Sequence, residues 1–292
     1  ISTTSNIEEN LEILMDYVQS PYYTDESVNK EQGIIGQEIR MYDDSASWKM
    51  FFNFINCLYK NHPVKKEIAG TIESISHITA DYLYKCYNTF YNLSNMALVV
   101  IGNIDIDKIT DVIEKSIKIK DGDKGKIKKI YPNEPDEIQT NYVEKNMAIA
   151  APMFMMGFKD TDNKLSGEAL LKKNIEMTIL LRMLFAKGTD IYEKLYDEGL
   201  INSTFSTDYT IHCDYAFSSL DGESKDPKKV YEIIIDEIKK LHKTGLCEED
   251  FERAKKVVWG RYIRMHNDIE DYANMYIQSL FMGIDYFDYY NV

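Results

Sequence analysis

The chain has 292 residues, and its 34 Lys and Arg against 48 Asp and Glu give a formal net charge of −14 at pH 7. This length suits two domains of about 150 residues each better than a single core. The excess of acidic residues argues against nucleic acid and anionic membranes as partners, because both require clustered Lys and Arg. No apolar run approaches the roughly 20 residues of a membrane-spanning helix, so we expect no membrane crossing in the chain as given.

The four cysteines are widely spaced and none forms a C-x-x-C pair: Cys57, Cys86, Cys213 and Cys247. This pattern is typical of buried free thiols in a reducing compartment, so we expect a cytoplasmic location. The sequence opens at Ile1, without Met, inside an apparent strand end. We therefore expect that the natural N-terminus is missing, and the lack of a signal peptide carries little weight.

The first half of the chain alternates amphipathic helices with one apolar strand. A helix capped at Thr24 follows the first helix, which ends at Pro21. The composition of residues 96–105, MALVVIGNID, predicts a buried strand. Apolar residues at helical spacing predict further helices over residues 8–19, 48–59, 79–90 and 107–117.

The apolar pattern thins near the middle of the chain, where we place a linker over residues 126–141. The first domain then comprises residues 1–125, truncated at its N-terminus, and the second comprises residues 142–292. In the second domain the pattern predicts a strand over residues 147–158, a helix over residues 165–185, a short helix ending near Gly199, two strands over residues 203–220, and three helices up to Gly283.

The two halves repeat one layout of strand, amphipathic helix, short loop and acid-capped long helix. The motif G-x-x-I-R-M occurs at residues 36–41 and again at residues 260–265. Duplication explains this shared order better than helical propensity alone. We therefore predict an α+β fold of two tandem homologous domains, each a mostly antiparallel sheet packed against helices. In the second copy the position of Glu38 falls on Arg261 or Tyr262, so we expect no metal there.

Two glutamates stand out in the helix that follows Thr24. Glu31 and Glu38 are seven residues apart and share a helical stripe with Ile34, Ile35 and Tyr42. A carboxylate on an inward-facing stripe requires a metal or a fixed donor, because burying it unpaired costs several kcal/mol or raises its pKa. The alternative is that the stripe lies partly in solvent and the two acids are ordinary helix charges.

Several motifs in family order resemble the insulinase, or pitrilysin, family of zinc peptidases. In that family the zinc is bound by an HxxEH helix and by a third glutamate further along the chain. The resemblance covers essentially the whole chain. It is carried by the Glu31 and Glu38 spacing, the turn at His62 and Pro63, IAGTIESISHIT at residues 68–79, YNLSNMALVVIGNID at residues 91–105, and IYEKLYDEGL at residues 191–200.

The resemblance implies that Glu38 is the third zinc ligand and Glu31 an assisting acid that orients a ligand or tunes the site. It implies a zinc metalloendopeptidase that hydrolyses peptides between two half-shells. Two histidines and one carboxylate leave a zinc position open for water, and a separate glutamate acts as general base. Zinc is then the cofactor of the full-length parent, and peptides are its substrates.

The chain departs from the family pattern at the HxxEH motif, which occurs nowhere in it. Its five histidines are His62, His77, His212, His242 and His266, and none has a partner at the required spacing. The two histidine ligands and the general base would then lie upstream of Ile1. Because one carboxylate cannot hold catalytic zinc, we expect the chain as given to lack zinc and to be inactive.

A second departure lies in the segment EKLYDEGLINSTF, where active relatives carry an arginine and a tyrosine that hold the substrate and the oxyanion. The equivalent positions here fall near Tyr196 and Asn202, and neither matches. This resembles the zinc-type subunit of heterodimeric members, whose homologous sister subunit supplies the missing pair. One alternative is that another nearby donor, such as Tyr209, takes that role. The alternative for the whole chain is a non-catalytic binding or scaffold subunit.

The remaining candidates favour structural roles. His62, before Pro63, is interpreted as a turn residue. Within a strand, His212 and Cys213 would point to opposite faces, which argues against a metal site formed with Asp214. The acids of residues 103–107 lack the glycine and the closing glutamate of a calcium loop.

Overall fold

The computed structural model describes residues 2–118, 127–130 and 132–290. Its longer elements, in chain order, are α1 (Ile7–Gln19), α2 (Asp25–Asp43), α3 (Ala46–Leu58), α4 (Ile72–Ser76), α5 (Ala80–Phe90), α6 (Ile106–Ser116), β1 (Met153–Asp160), α7 (Gly167–Phe185), α8 (Asp190–Asp197), β2 (Ser206–Ile211), β3 (Ala216–Glu223), α9 (Pro227–Thr244), α10 (Glu248–Met265) and α11 (Ile269–Met282). None of these helices is long and apolar enough to cross a bilayer.

These elements form two compact units, and the first is built from helices in its described part. It comprises Ile1–Met41 and Glu67–Tyr131. Helix α1 packs against α6, and the Gln19 side chain donates a hydrogen bond to the Ser116 carbonyl at 2.9 Å. The Tyr87 hydroxyl donates to the Val18 carbonyl at 2.8 Å and thereby joins α5 to the end of α1.

The strands predicted in this first unit are absent from its described residues. Residues 2–6 and 96–105 are extended or irregular, and Met96 and Leu98 are 39% and 42% exposed. A strand needs a neighbour to pair its N–H and C=O groups, and the described residues place none beside this segment. The prediction of a buried strand here is therefore wrong for the described chain, although its apolar residues follow a strand pattern.

The second unit contains an antiparallel sheet in the order β1-β3-β2. This unit comprises Tyr42–Lys66 and Pro132–Val292. Met153 pairs with Glu223 across β1 and β3, and Ile211 pairs with Ala216 across β2 and β3. The predicted pair of strands and the three following helices are confirmed, whereas the first predicted strand begins six residues later, at Met153.

The central strand β3 is covered on both faces, because its side chains alternate between two clusters. Phe217 packs with the buried side of α3, including Phe54, Ile55 and Tyr59. Ala216 and Leu220 belong to the main core, which also includes buried side chains of α7, α8 and α9, namely Leu170, Leu171, Leu195, Val230 and Ile234. Helix α3 thus covers one face of the sheet while the later helices cover the other.

The chain is therefore of the predicted α+β class, with a small antiparallel sheet among many helices. Residues 42–66 group with the second unit, which makes that unit discontinuous in sequence. The predicted domain boundaries, 1–125, 126–141 and 142–292, delimit two homologous domains, whereas the two units above are defined by their compactness. The boundaries therefore stay a prediction.

Candidate functional site

Helix α2 carries both glutamates of the predicted zinc site on an exposed face. Glu31 and Glu38 are exposed, and Ile34 between them is 51% exposed. The buried positions of α2 are Val28, Gly36 and Ile39, which lie roughly 100° around the helix from the two acids. Of the two interpretations of this stripe, the described chain fits the one in which it lies partly in solvent. The spacing identified residues that share a face, but it did not identify which face packs.

Helix α2 is held by its packed side, through Gln32 and Gly36. The Gln32 side chain donates two hydrogen bonds, to the carbonyls of Ile75 at 2.9 Å and Ile78 at 2.8 Å, at the end of α4. A Cβ added at Gly36 would lie 3.3 Å from Ile72 Cδ1, so the glycine permits the close approach of α4. These contacts with α4 involve neither Glu31 nor Glu38.

We expect the Gln32→Ala variant to lower the free energy of unfolding by about 1–3 kcal/mol, because it leaves two partly buried carbonyl groups without their donor. Urea unfolding followed by circular dichroism measures this change. Gln37→Ala is the matched control, since Gln37 is exposed on the same helix. Equal unfolding midpoints for the two variants would show that Gln32 does not anchor α2.

The described residues do not complete a zinc site around Glu38. A catalytic zinc site requires three protein ligands and an open position. In residues 2–118, 127–130 and 132–290, no three His, Cys, Asp or Glu side chains come together in a group that could hold a metal ion. The assignments of Glu38 as zinc ligand and Glu31 as assisting acid remain predictions, and the donors present do not fit a zinc ion by themselves.

The end of α8 and the turn after it show what occupies the positions of the expected Arg and Tyr. Tyr196 is 49% exposed, and its ring stacks on Tyr192 with centroids 5.9 Å apart. Asn202 organises the following turn, because its amide donates to Glu223 Oε2 at 2.8 Å and its oxygen accepts from the Thr204 N–H at 2.8 Å. The Asn202 side chain is therefore committed to the loop that leads into β2.

Tyr209, the alternative donor, is engaged within the second unit. Its hydroxyl donates a hydrogen bond to Asp160 Oδ2 at 2.8 Å, and only 7% of the residue is exposed. Burial raises the pKa of Tyr209, and the hydrogen bond to Asp160 raises it further. Asp160 Oδ1 also accepts from Lys173 Nζ at 3.0 Å. These contacts give Tyr209 a structural function that joins β2, β1 and α7.

His62 is a buried turn residue, as the sequence predicted. Its Nδ1 accepts a hydrogen bond from the Val64 N–H at 3.1 Å, so the ring carries its proton on Nε2. That Nε2 lies 3.0 Å from Asp214 Oδ2, to which it donates. His212, Cys213 and Asp214 lie in the connection between β2 and β3 rather than in a strand. This hydrogen bond thus joins His62 to Asp214, which lies 152 residues later in the chain.

Sequence reasoning missed the most strongly held carboxylate of the second unit, Glu134. Its two oxygens accept the backbone N–H groups of Lys60, Asn61 and His62 at 2.6–2.9 Å. Lys159 Nζ donates to the same carboxylate at 2.6 Å, and the two side chains are only 4% and 12% exposed. Burial alone would raise the pKa of Glu134, but these hydrogen bonds outweigh it and lower the pKa to about 2.

Glu134 lies within the segment predicted to be a linker, and no local signal distinguishes it from the other acids there. The Lys159 ammonium also lies 4.9 Å from the centre of the Tyr59 ring. The Tyr59 hydroxyl in turn donates to the Ala216 carbonyl at 2.9 Å. The segment therefore anchors the end of α3 to the sheet.

The four cysteines are free thiols, but the prediction that they are buried is wrong. Cys57 and Cys86 are half-buried, and Cys213 and Cys247 are exposed. The last two lie in a loop between strands and at the start of α10, where few side chains cover them. The prediction of a reducing compartment stays a prediction.

Comparison with known proteins places this architecture in a family. Residues 77–258 match the family described as the Peptidase M16 inactive domain. A protein of Bacillus subtilis named "Uncharacterized zinc protease YmfH" is 39% identical over 98% of this chain and 67% of its own length. The crystal structure of an M16-like peptidase from Alicyclobacillus acidocaldarius has a TM-score of 0.91 at 33% identity, over 96% of this chain and 66% of that chain.

This α+β chain therefore belongs to the M16 family of peptidases, which is the insulinase family that its motifs resemble. It spans about two thirds of the length of the two relatives above. A second protein of Bacillus subtilis, named "Probable inactive metalloprotease YmfF", is 26% identical over 45% of this chain and 32% of its own length. One organism thus has both a protein named as a zinc protease and one named as inactive that are similar to this chain.

Proposed function

We propose that this chain is part of a zinc metalloendopeptidase that hydrolyses peptides in a closed clamshell chamber. In this proposal Glu38 is the third zinc ligand, and Glu31 is an assisting acid that orients a ligand or tunes the site. The observation that carries the proposal is the pair of acids on one exposed face of α2, in a chain similar along almost its whole length to a zinc protease.

The remaining parts of such a site must come from outside residues 1–292. Two histidine ligands and a general base are required, and the chain contains no HxxEH motif to supply them. The exposure of Glu38 supports the proposal, because a ligand completed by another segment must be accessible to that segment. The contacts of Gln32 and Gly36 with residues of and after α4 fix helix α2 and would hold Glu38 in place.

We further propose that the full-length parent works as the zinc-type subunit of a heterodimer with a homologous sister. Tyr196 and Asn202 stand where the resemblance places a substrate-binding arginine and an oxyanion-binding tyrosine. Asn202 is bound to Glu223, and Tyr209 is bound to Asp160, so neither supports the idea of a substitute donor. The coexistence in Bacillus subtilis of a zinc protease and an inactive relative supports a division of labour of this kind.

The second candidate function is a non-catalytic binding or scaffold subunit of the same family. It is favoured by the match of residues 77–258 to the inactive domain and by the absence of a metal-binding group among the described residues. An HxxEH motif upstream of these residues in the full gene distinguishes the two candidates. Its presence supports the zinc subunit, and its absence supports the scaffold.

We expect the purified chain of residues 1–292 to show no chelator-sensitive peptidase activity and no stoichiometric zinc. The full-length parent should bind zinc but cleave a test peptide slowly when it is alone, because one oxyanion donor is typically worth about 10²–10³ in rate. Addition of the sister subunit should raise the cleavage rate by about the same factor. Zinc analysis and peptide cleavage, with and without a chelator, measure these properties.

Each outcome tests a separate part of the proposal. Chelator-sensitive cleavage by residues 1–292 alone would refute the assignment of the ligands to another segment. Full activity of the isolated parent, unchanged by the sister, would refute the heterodimer. A parent that binds no zinc with or without the sister would favour the scaffold candidate.

A further inference from the structure

A small cavity with a basic rim lies between the end of α7 and the first half of α10, entirely within the second unit. It has a volume of about 120 Å³. Its apolar wall is formed by Met183 of α7, by Ala186 directly after that helix, and by Ala254 and Val257 of α10. The volume is that of about four water molecules, since one water occupies about 30 Å³ in the liquid.

Arg182 contributes a half-buried guanidinium to this cavity. Across the parts of the chain that the structure describes, no hydrogen bond or ion pair joins the Arg182 side chain to another group, so its N–H donors have no protein acceptor. Burial lowers the pKa of Arg182, and the nearby Arg261 lowers it further. A partly desolvated cation next to a second cation is a destabilising arrangement unless an anion compensates it.

The other charges around the cavity do not supply that anion. Lys187 and Arg253 also line it, and the one acidic lining residue, Asp250, is paired with Arg253 at 2.6 Å. The first turns of α10 also contain Glu248, Glu249 and Glu252, which do not line the cavity, and the helix from Arg253 to Met265 contains five Lys and Arg residues and no Asp or Glu. Of these five only Arg253 lines the cavity, so its basic rim consists of Arg182, Lys187 and the paired Arg253.

We propose that this cavity is a binding site for an oxyanion, a phosphate or a carboxylate group, held by Arg182 and Lys187, with Arg261 adding to the positive potential from outside the lining. The planar guanidinium presents paired N–H donors that match the oxygens of either group, and the apolar wall strengthens the attraction by excluding water. The site lies on the helix that repeats α2 in the duplicated layout, and it uses none of the residues assigned to zinc. The proposal therefore stands apart from the proposed peptidase function.

The test is isothermal titration of the purified 292-residue chain with sodium phosphate and, separately, with sodium malonate, at ionic strength matched with sodium chloride. We expect saturable binding of at least one of the two anions. Arg182→Met, which keeps an unbranched apolar stem but removes the guanidinium, should weaken binding about 10- to 100-fold, the effect of losing hydrogen bonds from a charged donor. Without added anion, this variant should melt at the same temperature as the parent chain or higher, because like-charge repulsion is relieved.

Lys239→Met is the matched control, since Lys239 is an exposed cation on α9, paired with Asp236. It should bind the anion as the parent chain does. Arg261→Met provides a second variant if Arg182→Met does not fold, and it should weaken binding too. Phosphate binding alone would identify a phosphate site, and malonate binding alone a carboxylate site; both support the proposal. No saturable binding, or equal binding by both arginine variants and the control, would overturn it.

Discussion

Replacing Glu38 by glutamine in the full-length parent is expected to abolish zinc binding and to lower peptidase activity by at least about 100-fold. Even residues that only support a metal ligand contribute about 10- to 100-fold, and a neutral amide is a much weaker zinc ligand than a carboxylate. The substitution preserves the size of the side chain. Because Glu38 is exposed and lies away from the contacts with α4, the fold of α2 should remain intact.

Two other glutamates on α2 make this experiment specific. Glu31→Gln should retain most of the zinc and lose about 10- to 100-fold in activity, as expected for an assisting acid. Glu26→Gln, an exposed acid in the first turn of the helix, should behave like the parent. Zinc content by elemental analysis and peptide cleavage rates distinguish the three variants. Retention of zinc and activity by Glu38→Gln would remove Glu38 from the site.

The second large effect is expected at Glu134, whose replacement by glutamine should destabilise the second unit by about 3 kcal/mol or more. The change leaves the Lys159 ammonium buried without its carboxylate, and breaking a buried ion pair in this way typically costs about 3–5 kcal/mol. Glu137→Gln is the matched control, because the Glu137 side chain is 77% exposed and makes only a long contact, 4.0 Å from its Oε2 to Lys60 Nζ. The control should change the free energy of unfolding by less than about 0.5 kcal/mol.

The same carboxylate predicts a dependence of stability on pH. Its pKa is about 2 in the folded chain and near the ordinary value of 4.5 in the unfolded chain. Between these values the unfolded chain binds more protons, so stability falls as the pH falls from about 5 to 2. The gap between the two pKa values corresponds to about 3 kcal/mol, which is fully present above pH 5.

Urea unfolding of the parent chain and of Glu134→Gln at several pH values between 2 and 6 measures this contribution. The difference in free energy of unfolding between the two proteins should shrink as the pH falls. A constant difference across this range would show that the pKa of the Glu134 carboxylate is the same in the folded and in the unfolded chain.

The helices were predictable from the sequence because each carries its own local signals. Thr79 caps α5 by accepting the Tyr82 N–H, and α9 lies between the cap at Asp226 and Gly245, whose φ is 80°. Strands carry no equivalent local signal, because a strand forms only where a neighbouring strand pairs with it. Residues 96–105 are apolar in the expected way, and yet no described strand pairs with them.

The candidate site was only partly predictable for a related reason. The seven-residue spacing of Glu31 and Glu38 does place them on one face of α2, but the packed face is chosen by Gln32 and Gly36, a polar residue and a glycine. Glu134 escaped notice because its backbone partners lie more than 70 residues before it in the chain and its lysine partner lies 25 residues after it. Sequence periodicity carries no information about contacts at that separation.

The discontinuity of the second unit determines how this protein can be divided for study. A cut in the predicted linker, at residues 126–141, would leave α3 on the N-terminal piece and its binding surface, Phe217 on β3, on the other. Both pieces would then expose apolar surface and tend to aggregate. A self-sufficient version of the second unit needs residues 42–66 rejoined to residues 132–290 by a short new connection, with Glu134 free to cap the end of α3.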